Sequence, residues 1–453
     1  MSNSALSSGG RLRLSRGGMF VRACLIACTA MVATRLFAQT PPAEPVSQPV
    51  EAAETPAFMR VQEVKNKTIE LQVGVRDYVR ADGKGPRVGL VGVAHIGERS
   101  FYRELQKLLD SYDVVLYESV KPSGATRPGG DTSEARIEST RASMKFVRGL
   151  IESYRHVNEG LPANLDALRK FVSEHDPRLA HFVNDASTDA WGHALQYGLL
   201  ADAADAMDGY RLVSLGADGA VGGDGEQADI ARGHEDDAVA TALSDEDGLQ
   251  SQLADALGME FQLEAMDYGK ANWRCSDMDM DQLNRALSDR GLDFEVLGGT
   301  LAGSSLPAKL IKVLLGFIKI ADSFMQGAIT DTFKVVMIEM LGDPSLTEDS
   351  LKQLGAGFAE VIINERNEIP LSDLARIAEH ESDIKSVAIF YGAGHMADLD
   401  AQLRAMGYVP AADGEHWLTG MKVDLTKSAV SPRELNQIRM MMKQTLKQQF
   451  GAK

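Results

Sequence analysis

The apolar positions of this chain follow two periods, and the switches between them mark its elements. Arg87–Val93 and Ser386–Tyr391 are short unbroken apolar runs, the pattern of strands buried on both faces of a parallel sheet. Ser100–Leu109 then repeats at helical spacing, with Phe101, Leu105, Leu108 and Leu109 on one face, and Asp113–Tyr117 predicts another strand that ends at Glu118. Strand, helix and strand in so few residues imply parallel pairing, so His95 and Glu118 are expected at one carboxyl-terminal edge. Met59 to Val79 alternates in two runs about Lys65–Asn66–Lys67, which predicts a hairpin at the sheet edge. Ala397–Met406 predicts a helix behind the Ser386 strand, and Gly407–Tyr408–Val409 opens a further strand.

Between these units the period is helical. Helices are expected at Glu134–Glu159, Asn164–Val172, Thr188–Met207, Leu249–Leu257 and Asp281–Leu287. Two more, Leu351–Asn364 and Leu371–Ala378, are expected to be broken apart by Pro370, and Arg211–Leu215 adds a short strand. Within the strongly apolar Pro307–Leu341, Lys309, Lys312, Gly316, Lys319 and Ser323 gather on one face, which suits packing against the core or a partner subunit. Ser431–Pro432–Arg433–Glu434 combines a capping box with proline at the first helical position, and predicts a terminal amphipathic helix. The fold class expected is α/β. A central mixed, largely parallel sheet comes from two related strand–GxxH–helix halves flanked by helices, with a helical middle region.

The ends and the charge refine this picture. Residues 1–38 carry Arg11, Arg13, Arg16, Arg22 and Arg35, no acidic residue and the apolar run Ala23–Ala33, the layout of a cleaved signal peptide. A lipoprotein box at Leu25–Cys28 ranks below it, because Arg22 leaves too short an apolar stretch ahead of Cys28. Residues 39–57 read as a Pro/Ala-rich linker and 58–425 as the α/β domain, with a helical and acidic insertion at about 134–345. Residues 430–453 form the terminal helix. The chain is expected to be exported, periplasmic or secreted. Its net charge of −17 argues against nucleic acid as a partner. Beyond the signal only Cys275 remains, so no disulfide can form within the chain. The acidic Asp218–Gly248 lacks the spacing of a calcium loop and reads as a solvated surface.

The candidate chemistry lies where the two apolar runs end. Gly92–Val93–Ala94–His95 and Gly392–Ala393–Gly394–His395 each put a histidine three residues after a glycine at a strand end, where the glycine is expected to permit a tight or positive-φ turn. A single Gly-x-x-His is a weak pattern and a lone histidine is commonly a packing residue; two copies at strand ends argue for a working pair. With Glu118 they supply donors for a hydrolytic divalent metal. The same three residues also suit a metal-free site in which imidazole and carboxylate activate water. Arg366, in Glu365–Arg366–Asn367, can point a guanidinium at an oxyanion or serve as a helix-end cation. Asp277 and Cys275 are weaker candidates.

These motifs, with Asp113–Glu118, Leu403 and Gly407–Tyr408, resemble the TraB/GumN family. That family is related to the Tiki metalloproteases and, more distantly, to erythromycin-esterase-like and haem-uptake lipoproteins. The likeness spans about Arg87 to Val409 in four short motifs, and Asp218–Gly248 has no counterpart in it. It implies metal-dependent peptide cleavage, with His95, Glu118 and His395 holding a divalent ion of the Mn, Co or Zn class and Arg366 beside them. Its alternatives are a metal-free esterase-like hydrolase and a non-enzymatic envelope protein that binds haem or a peptide. The partners expected are a peptide or small-molecule substrate, with peripheral membrane contact and a homo-oligomer left open.

Overall fold

The computed structural model describes residues 57–65, 67–200, 209–231, 258–292, 328–343, 356–428, 430–437, 439–440 and 444. The signal, the linker up to residue 56, the predicted helix Leu249–Leu257 and the Lys309–Ser323 face lie outside them.

The α/β class is borne out. One seven-stranded mixed sheet runs in the order β1 (Met59–Val64), β2 (Thr68–Arg80), β3 (Arg87–Val93), β10 (Ser386–Gly392), β5 (Val114–Tyr117) and β9 (Trp273–Cys275), with β11 (Tyr408–Asp424) on the other side of β2. β3, β10, β5 and β9 are parallel, whereas β1, β2 and β11 form an antiparallel flank. β3 and β5 are therefore not neighbours, in contrast to the pairing expected from their closeness in sequence. β10, the second apolar run, is threaded between them, pairing Gly392 with Val93 on one side and Phe390 with Tyr117 on the other.

The apolar runs are unbroken because both faces of the sheet are covered. On one face Val91, Val115, Phe390 and Trp273 pack with Phe101 and Leu105 of α1 (Arg99–Leu109). On the other, Val88, Leu116, Val387 and Ile389 pack with Leu374 of α8 (Arg366–His380) and Leu399 of α9 (Met396–Ala405). Each such side chain withdrawn from water contributes about 1.5–3 kcal/mol before the entropy of ordering it.

Pro370 does not break the chain. A π-helical turn, Glu360–Glu365, immediately precedes α8 and widens the spiral, and the helix then continues through the proline. Thr188–Met207 is likewise not a helix over its described part. Asp189 accepts from the backbone N–H groups of Trp191 and His193, which closes a turn, and Gln196–Leu199 follows as strand β6, paired with β7 (Tyr210–Val213). A helix the periodicity did not predict, α4 (Pro177–Ala186), comes just before it.

The hairpin β6–β7 packs with α2 (Ser133–Asn158), α3 (Leu165–His175) and α4 around a core of their own, which includes Val147, Leu150, Leu168, Phe171, Val183 and Leu212. β4 (Ile96–Gly97) pairs antiparallel with β8 (Glu260–Phe261), which runs into the short helix α5 (Gln262–Ala265), and α6 (Met280–Ser288) starts on the capping box of Asp279 with Gln282. At the tail, Ser431 and Glu434 form the expected cap and residues 432–437 are helical. α7 (Ala328–Leu341) lies against the β2–β11 ribbon through Val335 and Ile338. No helix among the described residues is long and apolar enough to cross a membrane.

Candidate functional site

Because β3, β10 and β5 are parallel, their carboxyl ends finish together and deliver His95, His395 and Glu118 to one edge of the sheet. Arg366 arrives from α8, at the junction with the π-turn. The structure thus brings all four residues together.

Glu118 is the hub. Its Oε1 accepts from Arg366 Nη2 at 2.9 Å and faces His395 Nε2 at 3.4 Å, while its Oε2 accepts from the backbone N–H of Gly392 at 2.6 Å. Burial alone would raise its pKa; the imidazole of His395, then Arg366 and His95, outweigh burial and hold the carboxyl well below its ordinary range. Arg366 is itself fixed by a carboxylate the sequence ranked low. Asp277, just beyond β9 and fully buried, accepts from Arg366 Nε at 3.0 Å and Nη2 at 2.6 Å. The guanidinium is only 8% exposed, and its remaining nitrogen, Nη1, makes a long 3.4 Å bond to the Ile362 carbonyl. Burial opposes its charge, but Asp277 and Glu118 drive its pKa further up, so it stays a cation. Arg366 clamps two carboxylates rather than standing free as an oxyanion donor.

The two histidines differ in setting. His395 is buried in a 3-10 turn with its ring edge-on to Tyr391, centroids 5.3 Å apart, whereas His95 is exposed to solvent. Each ring has an amide partner. His95 Nδ1 meets Gln262 Oε1 at 2.7 Å, and His395 Nδ1 meets Asn367 Oδ1 at 2.8 Å.

The glycines of the two motifs serve space rather than the turn expected of them, since neither has a positive φ. A Cβ on Gly392 would lie 3.2 Å from Glu118 Oε2 and 3.5 Å from His95 Nε2. That missing side chain leaves a cradle between a carboxylate and an imidazole nitrogen. On Gly92 a Cβ would instead meet the Gly74 carbonyl at 3.1 Å and Val73 at 3.2 Å, inside the sheet packing.

Cys275 donates its thiol to the Ser119 carbonyl at 3.1 Å, and burial pushes its pKa up to about 12, so it stays a protonated packing group. For a divalent ion the donor types fit, but the arrangement does not. Among the described residues no three His, Cys, Asp or Glu side chains converge to hold a metal, and both oxygens of Glu118 are already engaged. Asn367 was visible in the sequence only as the neighbour of Arg366. Gln262 carried no local signal, because its link to His95 exists only in the folded chain.

Comparison with known families identifies a different likeness from the one the motifs suggested. Residues 129–233 match a family model. The match is to the type II secretion system (T2SS), protein G. It covers less than a quarter of the chain and falls on the helical middle, outside both Gly-x-x-His units. No TraB/GumN match accompanies it, and the TraB/GumN resemblance is thereby corrected: four short motifs, each common on its own, do not carry a family. The matched residues include α2, α3, α4 and the β6–β7 hairpin, the elements that share their own core. No curated protein and no solved structure matches at a significant level.

Proposed function

We propose that this protein is an exported hydrolase in which His95 and Glu118 activate water at the carboxyl-terminal edge of the sheet. The observation that carries the reading is the cradle over Gly392, with Glu118 Oε2 on one side and His95 Nε2 on the other. A water seated there has an imidazole to take its proton and a carboxylate to orient it and to stabilise the imidazolium that forms. Arg366 and the Gly392 N–H keep Glu118 ionised and aimed, and His395 closes the buried side. The substrate class is a peptide or small ester whose carbonyl reaches the open, His95 side.

The metal-dependent peptidase form of this reading requires Glu118 to give up Arg366 or Gly392 to free an oxygen for the ion. The metal-free form requires no such change and is favoured. The test assays purified mature chain on fluorescein-labelled casein and on p-nitrophenyl acetate, with and without exhaustive chelation. The expected result is hydrolysis that survives chelation and falls at least about 100-fold in His95→Ala. Activity abolished by chelator and restored by Mn, Co or Zn selects the metal form, and no hydrolysis by the wild type of either probe overturns both.

The matched segment supports a second reading, in which residues 129–233 dock a component of a secretion system. Their own core makes them a unit able to present such a surface. Co-elution of the full chain with purified secretion-system components tests it, and separate elution at micromolar concentration counts against it.

A further inference from the structure

The geometry points to Gln262 and Asn367 as positioning residues that hold a proton on Nδ1 of His95 and of His395 and turn each Nε2 to the side of the shared carboxylate. The Nδ1 proton follows from the hydrogen bonds alone; its consequence for turnover rests on the hydrolase reading above.

The two amides grip their histidines in the same way, although they arise from unrelated segments. The backbone N–H of Gln262 donates to the His95 carbonyl at 2.8 Å while its side-chain oxygen meets His95 Nδ1 at 2.7 Å. Asn367 donates from Nδ2 to the His395 carbonyl at 3.3 Å while its Oδ1 meets His395 Nδ1 at 2.8 Å. Both are buried, Gln262 at 2% and Asn367 at 0% exposure, so neither has water as a ready substitute partner.

What decides the tautomer is which end of each amide faces the ring. For Asn367 this is fixed twice over, because its Nδ2 donates to a backbone carbonyl and, at 2.8 Å, to the Asp398 carboxylate, groups that only accept. Its oxygen must then face His395, and an oxygen facing Nδ1 calls for an N–H there. Gln262 directs its Nε2 at the Tyr268 hydroxyl at 2.9 Å, which leaves its oxygen for His95. A hydroxyl can play either part, so His95 is the more exposed half of the inference. Ring orientation set by a second hydrogen bond is how imidazoles are generally held for chemistry. Here it turns each Nε2 to the Glu118 side: His395 Nε2 stands 3.4 Å from Oε1, where a carboxylate calls for a second N–H, and His95 Nε2 lies across the Gly392 cradle.

The experiment is side-chain nitrogen NMR on the full mature chain with labelled histidine, His95→Ala and His395→Ala serving to assign the signals. The expected spectrum has Nδ1 protonated on both rings. A wild-type His95 or His395 with a bare Nδ1 overturns the inference whatever the activity. Gln262→Leu is expected to shift His95 toward the Nε2–H form and to lower kcat/KM on p-nitrophenyl acetate by about 10–100-fold. Gln262→Glu, which restores an acceptor at the ring and can accept from Tyr268, is expected to recover the Nδ1–H signal and most of the rate. Asn367→Leu is expected to weaken the Nδ1–H signal of His395. Unchanged Nδ1–H signals in folded Leu variants overturn the inference; should those variants fail to fold, the wild-type spectrum still decides it. Fixed Nδ1 protons in a chain that hydrolyses neither probe leave the positioning intact and remove the hydrolase reading instead.

Discussion

The two Gly-x-x-His units are alike in sequence and unlike in the fold. The first ends on an exposed histidine gripped by a segment far along the chain, and its glycine yields to sheet packing. The second ends on a buried histidine gripped by Asn367 of the nearby helix α8, and its glycine opens the cradle. Similar tetrapeptides thus supply the reachable and the rigid half of one constellation, and tertiary surroundings rather than local pattern decide which is which.

The sharpest way to break this comparison is at the rigid half. Asp277→Ala leaves Arg366 buried with Glu118 as its remaining carboxylate partner, and is expected to cost about 3–5 kcal/mol in urea denaturation. A loss below about 1 kcal/mol would mean that the buried side is not held by the clamp. A loss of stability is also expected on acidification. The folded pKa of Glu118 lies well below its unfolded value of about 4.3, so the stability it contributes is complete above that pH and drains away as pH falls toward the folded pKa. Denaturation midpoints at pH 6 and pH 3 should diverge less in Glu118→Gln than in wild type.

The glycines give a crossed pair. Gly92→Ala is expected to lose about 1–3 kcal/mol of stability, because its Cβ meets a backbone carbonyl and a core valine. Gly392→Ala meets side-chain ends, so it should stay within about 1 kcal/mol of wild type while turnover drops. Equal stabilities would dissolve the distinction. The histidines give a second pair: His395→Ala should cost about 1–3 kcal/mol, and the exposed His95→Ala, the smallest effect of all, within about 0.5 kcal/mol, both read by thermal melting.

Much of this was legible in the sequence where the physics is local. The apolar runs of β3 and β10, the stripe of α1 and the Ser431 cap all follow from short-range pattern, and the edge occupied by His95, Glu118 and His395 follows from parallel strands. Strand order did not, because nothing in Arg87–Glu118 tells β3 and β5 to admit a third strand between them. Pro370 read as a stop because the π-turn ahead of it leaves no mark in hydropathy. Thr188–Met207 read as a helix because its apolar spacing hid the turn that Asp189 closes. Gln262 was out of reach, since its link to a histidine 167 residues away has no periodic signature.

The threading of β10 sets an order of events as well as a shape. The strand at the middle of the sheet is among the last made, so until residue 392 has emerged β3 and β5 face each other with unpaired edges and the clamp has no second wall. Closure of such distant segments is intrinsically slow. A chain cut short of β10 would therefore hold open hydrogen-bonding edges that invite other strands, and a helper that shields them until β10 arrives would speed its maturation more than any gain in native stability.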